Sequence, residues 1–352
     1  MKKIYIVLLF CFFINNFLNA EVNPKYVYIG DYDEKMYCID AENGKKVWTF
    51  DTDNMIESNP AVYKMKLYFA SDDGKIYCLN ALTGEKIWSK EIGEGTNYSS
   101  PIIIDNVLYI GSYNKKLYAI NPDSGEEIWQ FKAEGRVFSD PLVANGRVYV
   151  GSLDNNVYAV DAISGQLVWE ADVDEMVKTD LAYYNDKIYA YNTEEDLIVL
   201  DSETGERLWK KGLGDEYSNS SPVIVDGRLY VGTTDDELYC LDAETGETIW
   251  KFYDDGEIHS TPAVYNGKVY FGCDDEEVHA VDIETGEELW DKDLDDRVYA
   301  SPAVVNGRVY IGNSDDELFC LDAETGDRIW KFEGNGKIVT RPAFLFESDI
   351  LQ

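Results

Sequence analysis
The chain has 352 residues, 45% apolar and 14% aromatic, which is ample for a large core, and its 67 acidic against 31 basic residues give a formal net charge of −36. That balance excludes nucleic acid and anionic membrane surfaces as ordinary partners, because both need a basic face to displace counterions or meet lipid head groups. A protein partner with a basic surface or a metal-rich setting fits the charge, although acid that merely solvates the surface explains it more simply.

Residues 1–20 read as a secretory signal peptide: Lys2 and Lys3, an apolar run from Ile4 to Phe13, and a polar stretch ending in Leu18-Asn19-Ala20. Cleavage after Ala20 leaves residues 21–352 as one exported domain, periplasmic or on the cell surface. Cys11 in Leu8-Leu9-Phe10-Cys11 resembles a lipid-attachment site, but the bulky Phe10 directly before it speaks against lipidation. No later segment approaches the ~20 uninterrupted apolar residues that span a bilayer, so no transmembrane segment is expected.

From there the chain is periodic. Its eight tryptophans, Trp48, Trp88, Trp129, Trp169, Trp209, Trp250, Trp290 and Trp330, fall at steps of 40 or 41 residues, each with a glycine four residues earlier and Asp or Asn four before that. A constant period of this length marks units that bury their apolar faces only by stacking on one another. Within the third unit, Ser99–Ile104, Val107–Gly111, Leu117–Ile120 and Glu127–Phe131 are short runs rich in β-branched and aromatic residues, separated by turn formers. Four antiparallel strands per repeat, with no helices, predict an all-β, eight-bladed β-propeller. The chain enters at Tyr26-Val27-Tyr28-Ile29-Gly30, matching a second strand, and leaves at Thr340–Leu345, matching a first strand. The C-terminal strand should therefore complete the N-terminal blade and leave no open edge.

The phrase Cys240-x-Asp242-x-x-Thr245-Gly246-x-x-x-Trp250 resembles the tryptophan-docking motif of the pyrroloquinoline-quinone (PQQ)-like, quinoprotein-type propellers, and it recurs over residues 26–346. The resemblance implies that each indole packs on a small residue at the first motif position and on the glycine-containing peptide of a neighbouring blade. Here the first positions are Cys38, Cys78, Ala119, Ala159, Val199, Cys240, Ala280 and Cys320. It also raises the possibility of a PQQ-dependent dehydrogenase carrying PQQ with calcium. Such enzymes resemble this repeat but use an adjacent cysteine pair and long insertions, and neither a Cys-Cys dipeptide nor room for insertions exists here. No catalytic, cofactor-binding or metal residues are therefore assigned. Within the family the nearest analogy is the propeller lipoprotein of the outer-membrane β-barrel assembly machine, in blade number, repeat type and lack of insertions.

Four of the six cysteines share one repeat position. Equivalent strands of adjacent blades lie roughly 13 Å apart given ~4.8 Å strand spacing, beyond the ~7 Å Cα limit of a disulfide. Free, buried thiols are expected, with Cys273 lacking an evident partner. His279 replaces a tyrosine found in five other blades and reads as a packing residue. The acidic turns Asp33-Glu34, Asp72-Asp73, Asp235-Asp236, Asp274-Asp275-Glu276 and Asp315-Asp316-Glu317 carry ligands calcium prefers, yet none has the spacing of a dedicated loop, and Asp forms turns on its own account.

The variable position three residues before the first-strand proline, held by Tyr98, Phe138, Lys178, Asn219, His259, Tyr299, Val339 and Glu57, is expected at the mouth of the central channel. Tyr98, Phe138, Lys178, His259 and Tyr299, with Arg341, are the candidate partner-binding residues there, although side chains that merely fill the mouth fit as well. Blade 5 breaks the repeat at Asp180-Leu181, Tyr191 and Ile198-Val199, and such departures arise from function or from drift. The expectation is a non-catalytic, monomeric scaffold for protein partners in the cell envelope. A PQQ enzyme and a surface module for a small ligand or polysaccharide are the alternatives.

Overall fold
A computed structural model describes residues 23–93, 98–214 and 217–350. The leader expected over residues 1–20, with Cys11, lies outside the described residues. Eight four-stranded antiparallel sheets follow one another along the chain. First strands are three residues long, as in Ile102–Ile104 of blade 3, or four in blade 1, shorter than the run expected from sequence because the residues before them leave the ladder to line the axis. First strands of neighbouring blades touch one another, which places them innermost. Second and third strands are buried on both faces, while the fourth alternates between exposed and covered residues.

The local chemistry follows from the repeat. First and second strands join through two-residue turns with positive φ at both positions, such as Asp105-Asn106 (50° and 63°), the type I′ geometry that Asn-Gly and Asp-Gly favour. After the third strand, Asp242 Oδ1 accepts from the backbone N–H of Glu244 at 3.0 Å and of Thr245 at 2.8 Å, and the Asp242 carbonyl accepts from Gly246 N–H. The acidic residues of the other turn earn their place likewise: Glu34, Asp236, Glu276 and Asp316 all have φ between 60° and 80°.

Ring closure is as the two chain ends imply. Strand Ala343–Phe346 pairs antiparallel with Pro24–Gly30, with Tyr26 opposite Leu345 and Tyr28 opposite Ala343. One core cluster joins Val27, Ile29 and Tyr37 of blade 1 to Tyr310, Leu318 and Trp330 of blade 8. A single helical turn, Glu347–Ile350, follows the last strand, where the sequence predicted none; acidic Glu347 and Asp349 sit in its first turn.

The indoles join the blades. Each motif glycine lies under the tryptophan of the preceding blade, Gly84 under Trp48 through to Gly44 under Trp330. Seven indole N–H groups donate to a carbonyl of the next blade, for example Trp250 to Ile283 at 3.1 Å and Trp330 to Ala41 at 3.1 Å. Trp209 departs from this, its buried Nε1 having no partner. Val199 stands directly across the ladder from it, where the other blades have Cys or Ala. The two extra methyl groups displace the ring, so a methyl on Gly246 would meet its outer atoms Cη2 and Cζ3 at 3.1 Å. The five described cysteines are free and buried. Four of them face the indoles across the ladder, as at Cys38 and Trp48, and burial raises their thiols, to about 11 for Cys78.

Candidate functional site
The inner ends of the blades build a two-layer ring around the axis. The outer layer is the small residue that the repeat keeps before each first strand. Ser99 Oγ accepts from Gly111 N–H at 2.9 Å, Ser139 Oγ from Gly151 at 2.7 Å, and Thr340 Oγ1 donates to the Gly30 carbonyl at 3.1 Å. A small hydroxyl residue suits this place because it is fully buried beside the second strand and satisfies backbone groups there.

The next residue forms the inner layer and hands one hydrogen bond from blade to blade. Asn59 N–H donates to Ser100 Oγ, Ser100 N–H to Asp140 Oδ1, Asp140 N–H to Asp180 Oδ1, and Asp180 N–H to Ser221 Oγ. Ser221 N–H continues to Thr261 Oγ1 and Thr261 N–H to Ser301 Oγ, while Arg341 N–H donates to Asn59 Oδ1. Asp180, one of the departures of blade 5, is thus a link in this ring. Arg341 holds the eighth position, where a guanidinium offers no acceptor and supplies a cation instead.

Crowding two carboxylates here has an electrostatic consequence. Burial in the channel, and then the Asp180 charge, push Asp140 up to about 8, with Arg341 opposing both. Burial likewise raises Asp180. An unfolded aspartate titrates near 3.9, so between that pH and about 8 the folded chain holds more protons than the unfolded chain, and stability falls as pH rises. Asp140→Asn keeps the acceptor for Ser100 N–H and removes the charge. Its thermal stability should match the parent at pH 4 and exceed it by on the order of 2 kcal/mol at pH 8.5, a gain moderated by water in the channel. Melts across that range check it, and a pH-independent difference would contradict the assignment.

Two residues upstream of the inner layer lie the expected mouth residues, which the structure gathers in neighbouring groups. Tyr98, 42% exposed, stacks on Phe138 with centroids 4.4 Å apart and planes at 24°. Lys178 Nζ lies 4.2 Å over the ring of Tyr217, whose hydroxyl donates to Asn219. His259 packs against Tyr299 at 5.4 Å and contacts Glu257 Oε2 at 2.8 Å, and Arg297 donates to Tyr299 Oη. Arg341 belongs to the ring below and not to this set. Sequence reasoning missed Tyr32, whose hydroxyl donates to Glu57 at 2.5 Å, and Tyr217. Burial holds the Tyr217 phenol well above its ordinary value, so it stays a neutral hydrogen-bond donor. Burial, then Glu57 and Asp72, hold the Tyr98 phenol up at about 12, so it is a neutral donor at any physiological pH.

A second cluster lies away from the axis, between blades 6 and 7. His279 does stack on Phe271, with centroids 5.1 Å apart, as a packing residue would, but it also lies among carboxylates: Glu288 Oε1 is 2.9 Å from Nδ1 and Asp254 Oδ2 is 3.2 Å from Nε2. Burial lowers its pKa, yet these two acids outweigh burial and lift it to about 9. Cys273, without an evident partner in sequence, donates its thiol proton to Asp275 Oδ1 at 2.5 Å. The overlooked signal is Asp254, which stands where the other blades carry Thr52, Ile92, Ala133, Val173, Leu213, Leu294 and Gly334.

Comparison with known proteins places this architecture. Among described residues no helix is long and apolar enough to cross a membrane. No curated protein matches the chain. Among solved structures, BamB from Moraxella catarrhalis is 20% identical, with a TM-score of 0.71 over 86% of this chain and 94% of that one. The computationally designed Ika8 protein is 19% identical, with a TM-score of 0.72 over 82% and 91%. A europium-containing methanol dehydrogenase is 14% identical, with a TM-score of 0.69 over 83% and 81%. At these identities the likenesses speak to the fold alone. The family model described as outer membrane protein assembly factor BamB matches residues 19–104, 72–221, 193–291 and 274–347, and the chain therefore belongs to that family of PQQ-like repeat propellers.

Proposed function
We propose that this propeller is a non-catalytic scaffold of the cell envelope that holds a protein segment at its channel mouth, in the service of outer-membrane protein assembly. The observation that carries the reading is the Tyr98–Phe138 stack, a partly exposed aromatic pair set on a rigid ring. Anchors of this kind give binding energy at little conformational cost, because the sheet beneath already fixes them. The net charge of −36 supports a partner whose contacting face is basic. Membership of the assembly-factor family supports the envelope setting.

A photo-crosslinking residue in place of Tyr98, with one at the exposed Ile163 as control, tests this in envelope preparations. A discrete protein adduct is expected at Tyr98 alone. Phe138→Ala and Tyr299→Ala together should reduce it at least tenfold while shifting thermal stability by no more than ~1 kcal/mol, as for half-exposed side chains. Dye-linked oxidation of alcohols or sugars after reconstitution with PQQ and calcium would overturn the proposal in favour of a dehydrogenase. Retention of a glycan with no protein adduct would turn it toward a carbohydrate-binding module.

A further inference from the structure
We propose that Asp254, Cys273, Asp275 and His279 form a binding site for a zinc-class divalent metal that clamps blade 6 to blade 7. Their four ligand atoms lie within 4.8 Å of one another. Tetrahedral zinc with bonds of about 2.0–2.3 Å sets its ligands roughly 3.3–3.7 Å apart, so contraction by about 1 Å completes the shell. One thiolate, one imidazole and two carboxylates suit zinc or cobalt(II), while sulfur and nitrogen disfavour calcium and magnesium.

Two observations point to a ligand and not merely to a polar cluster. First, His279 is 2% exposed, and its Nε2 faces Asp254 Oδ2 at 3.2 Å without an aligned hydrogen bond between them. The other ring nitrogen meets Glu288 Oε1 at 2.9 Å. A metal-ligating histidine is ordinarily held in this way, since a carboxylate on one nitrogen fixes the tautomer that presents the other as a lone pair. Phe252 and Phe271, with centroids at 5.5 Å and 5.1 Å, fix the plane of the ring.

Second, three departures from the repeat meet at this one place. Asp254 replaces the apolar residue of most blades. Cys273 stands where others have Asp31, Ser71, Ser112, Ser152, Asn192, Thr233 and Asn313. His279 replaces Tyr37, Tyr77, Tyr118, Tyr158, Ile198, Tyr239 and Phe319. Drift at three positions has no reason to bring a carboxylate, a thiol and an imidazole within ligand range. Solvent reaches the cluster through a cleft lined by Asp255, Glu277, Glu288 and Asp291, whose charge draws cations toward it. On binding, Cys273 gives up its thiol proton and the His279 imidazolium its Nε2 proton, both to solvent, so that a thiolate and a neutral imidazole coordinate.

The repeat supplies variants that should fold. Cys273→Ser, His279→Tyr and Asp254→Leu each install the residue that another blade carries at that position. Chelator-treated protein is titrated with Co²⁺ and followed by absorption, and with Zn²⁺ by calorimetry and thermal melting, with Trp fluorescence as the folding check. One equivalent of Co²⁺ should give a thiolate-to-metal charge-transfer band with tetrahedral d–d bands that excess calcium does not erase. Cys273→Ser should lose the charge-transfer band, and the other two variants should weaken binding at least tenfold and lose the zinc-dependent rise in melting temperature. Absence of a thiolate band, or equal binding by folded Cys273→Ser, would overturn the proposal and leave the cluster a buried ion pair.

Discussion

A chain ending at Arg341 is expected to lose the closed ring and with it most of its stability. The missing segment supplies the inner strand of blade 1, whose partners are Tyr26, Val27 and Tyr28. Leu345 is fully buried, and Phe344 packs edge-on against Tyr310 at 5.0 Å. Burying each side chain contributes about 1.5–3 kcal/mol, and each ladder hydrogen bond about 1 kcal/mol. The loss is therefore about 5 kcal/mol or more, comparable with the whole stability of many folded proteins. The truncation also uncovers the edge of Pro24–Gly30, an apolar template for pairing with another chain. Its expected behaviour is early thermal unfolding with concentration-dependent aggregation, read by melting and by light scattering. A synthetic peptide of residues 338–350 should restore monomers by adding the strand in trans. A truncated chain that melts like the parent would show that closure carries no stability.

Much of this fold was legible because each repeat restates the same constraints. A glycine must lie under each indole, a small residue must face it, and the two chain ends hold complementary strands. The inner ring was only half legible. The small residue is visible as a repeated Ser or Thr, but its neighbour varies among Asn59, Ser100, Asp140, Thr261 and Arg341, since any short oxygen accepts the same backbone donor and one position dispenses with it. Variable identity there hides a constant role. Arg341 reads as a mouth residue for the same reason, because in sequence it is simply another changeable position beside Val339. The Val199 departure was visible as a sequence conflict, while its effect, an unpartnered Trp209 Nε1, depends on volumes across a ladder. The cluster around His279 was least legible. Its residues come from two blades, and each alone has an ordinary explanation as turn former, small buried residue or aromatic substitute.

The same geometry yields a graded test of what the indoles contribute. Gly286 and Gly307 share a positive φ, 71° and 72°, so alanine at either meets a similar left-handed penalty of about 1 kcal/mol. They differ in what the new methyl would touch. At Gly286 it would lie 2.6 Å from Cε3 and 2.7 Å from Cδ2 of Trp250, while at Gly307 nothing lies within 4 Å. Trp250 has no free space to yield, being 8% exposed and tied to Ile283 by its N–H. Moving it forfeits that hydrogen bond, about 1 kcal/mol, and much of its dispersion contact with two blades. Gly286→Ala is therefore expected to cost about 3–4 kcal/mol and Gly307→Ala about 1 kcal/mol, measured as shifts in urea midpoint at constant slope. Gly246→Ala should fall between them, because displaced Trp209 leaves 3.1 Å there and has no N–H bond to lose. Equal effects at all three positions would mean that left-handed strain is the whole cost and that the indoles are passengers in the interface. The expected order instead makes each glycine and the indole above it one joint, with Val199 loosening the joint that Trp209 makes with blade 6.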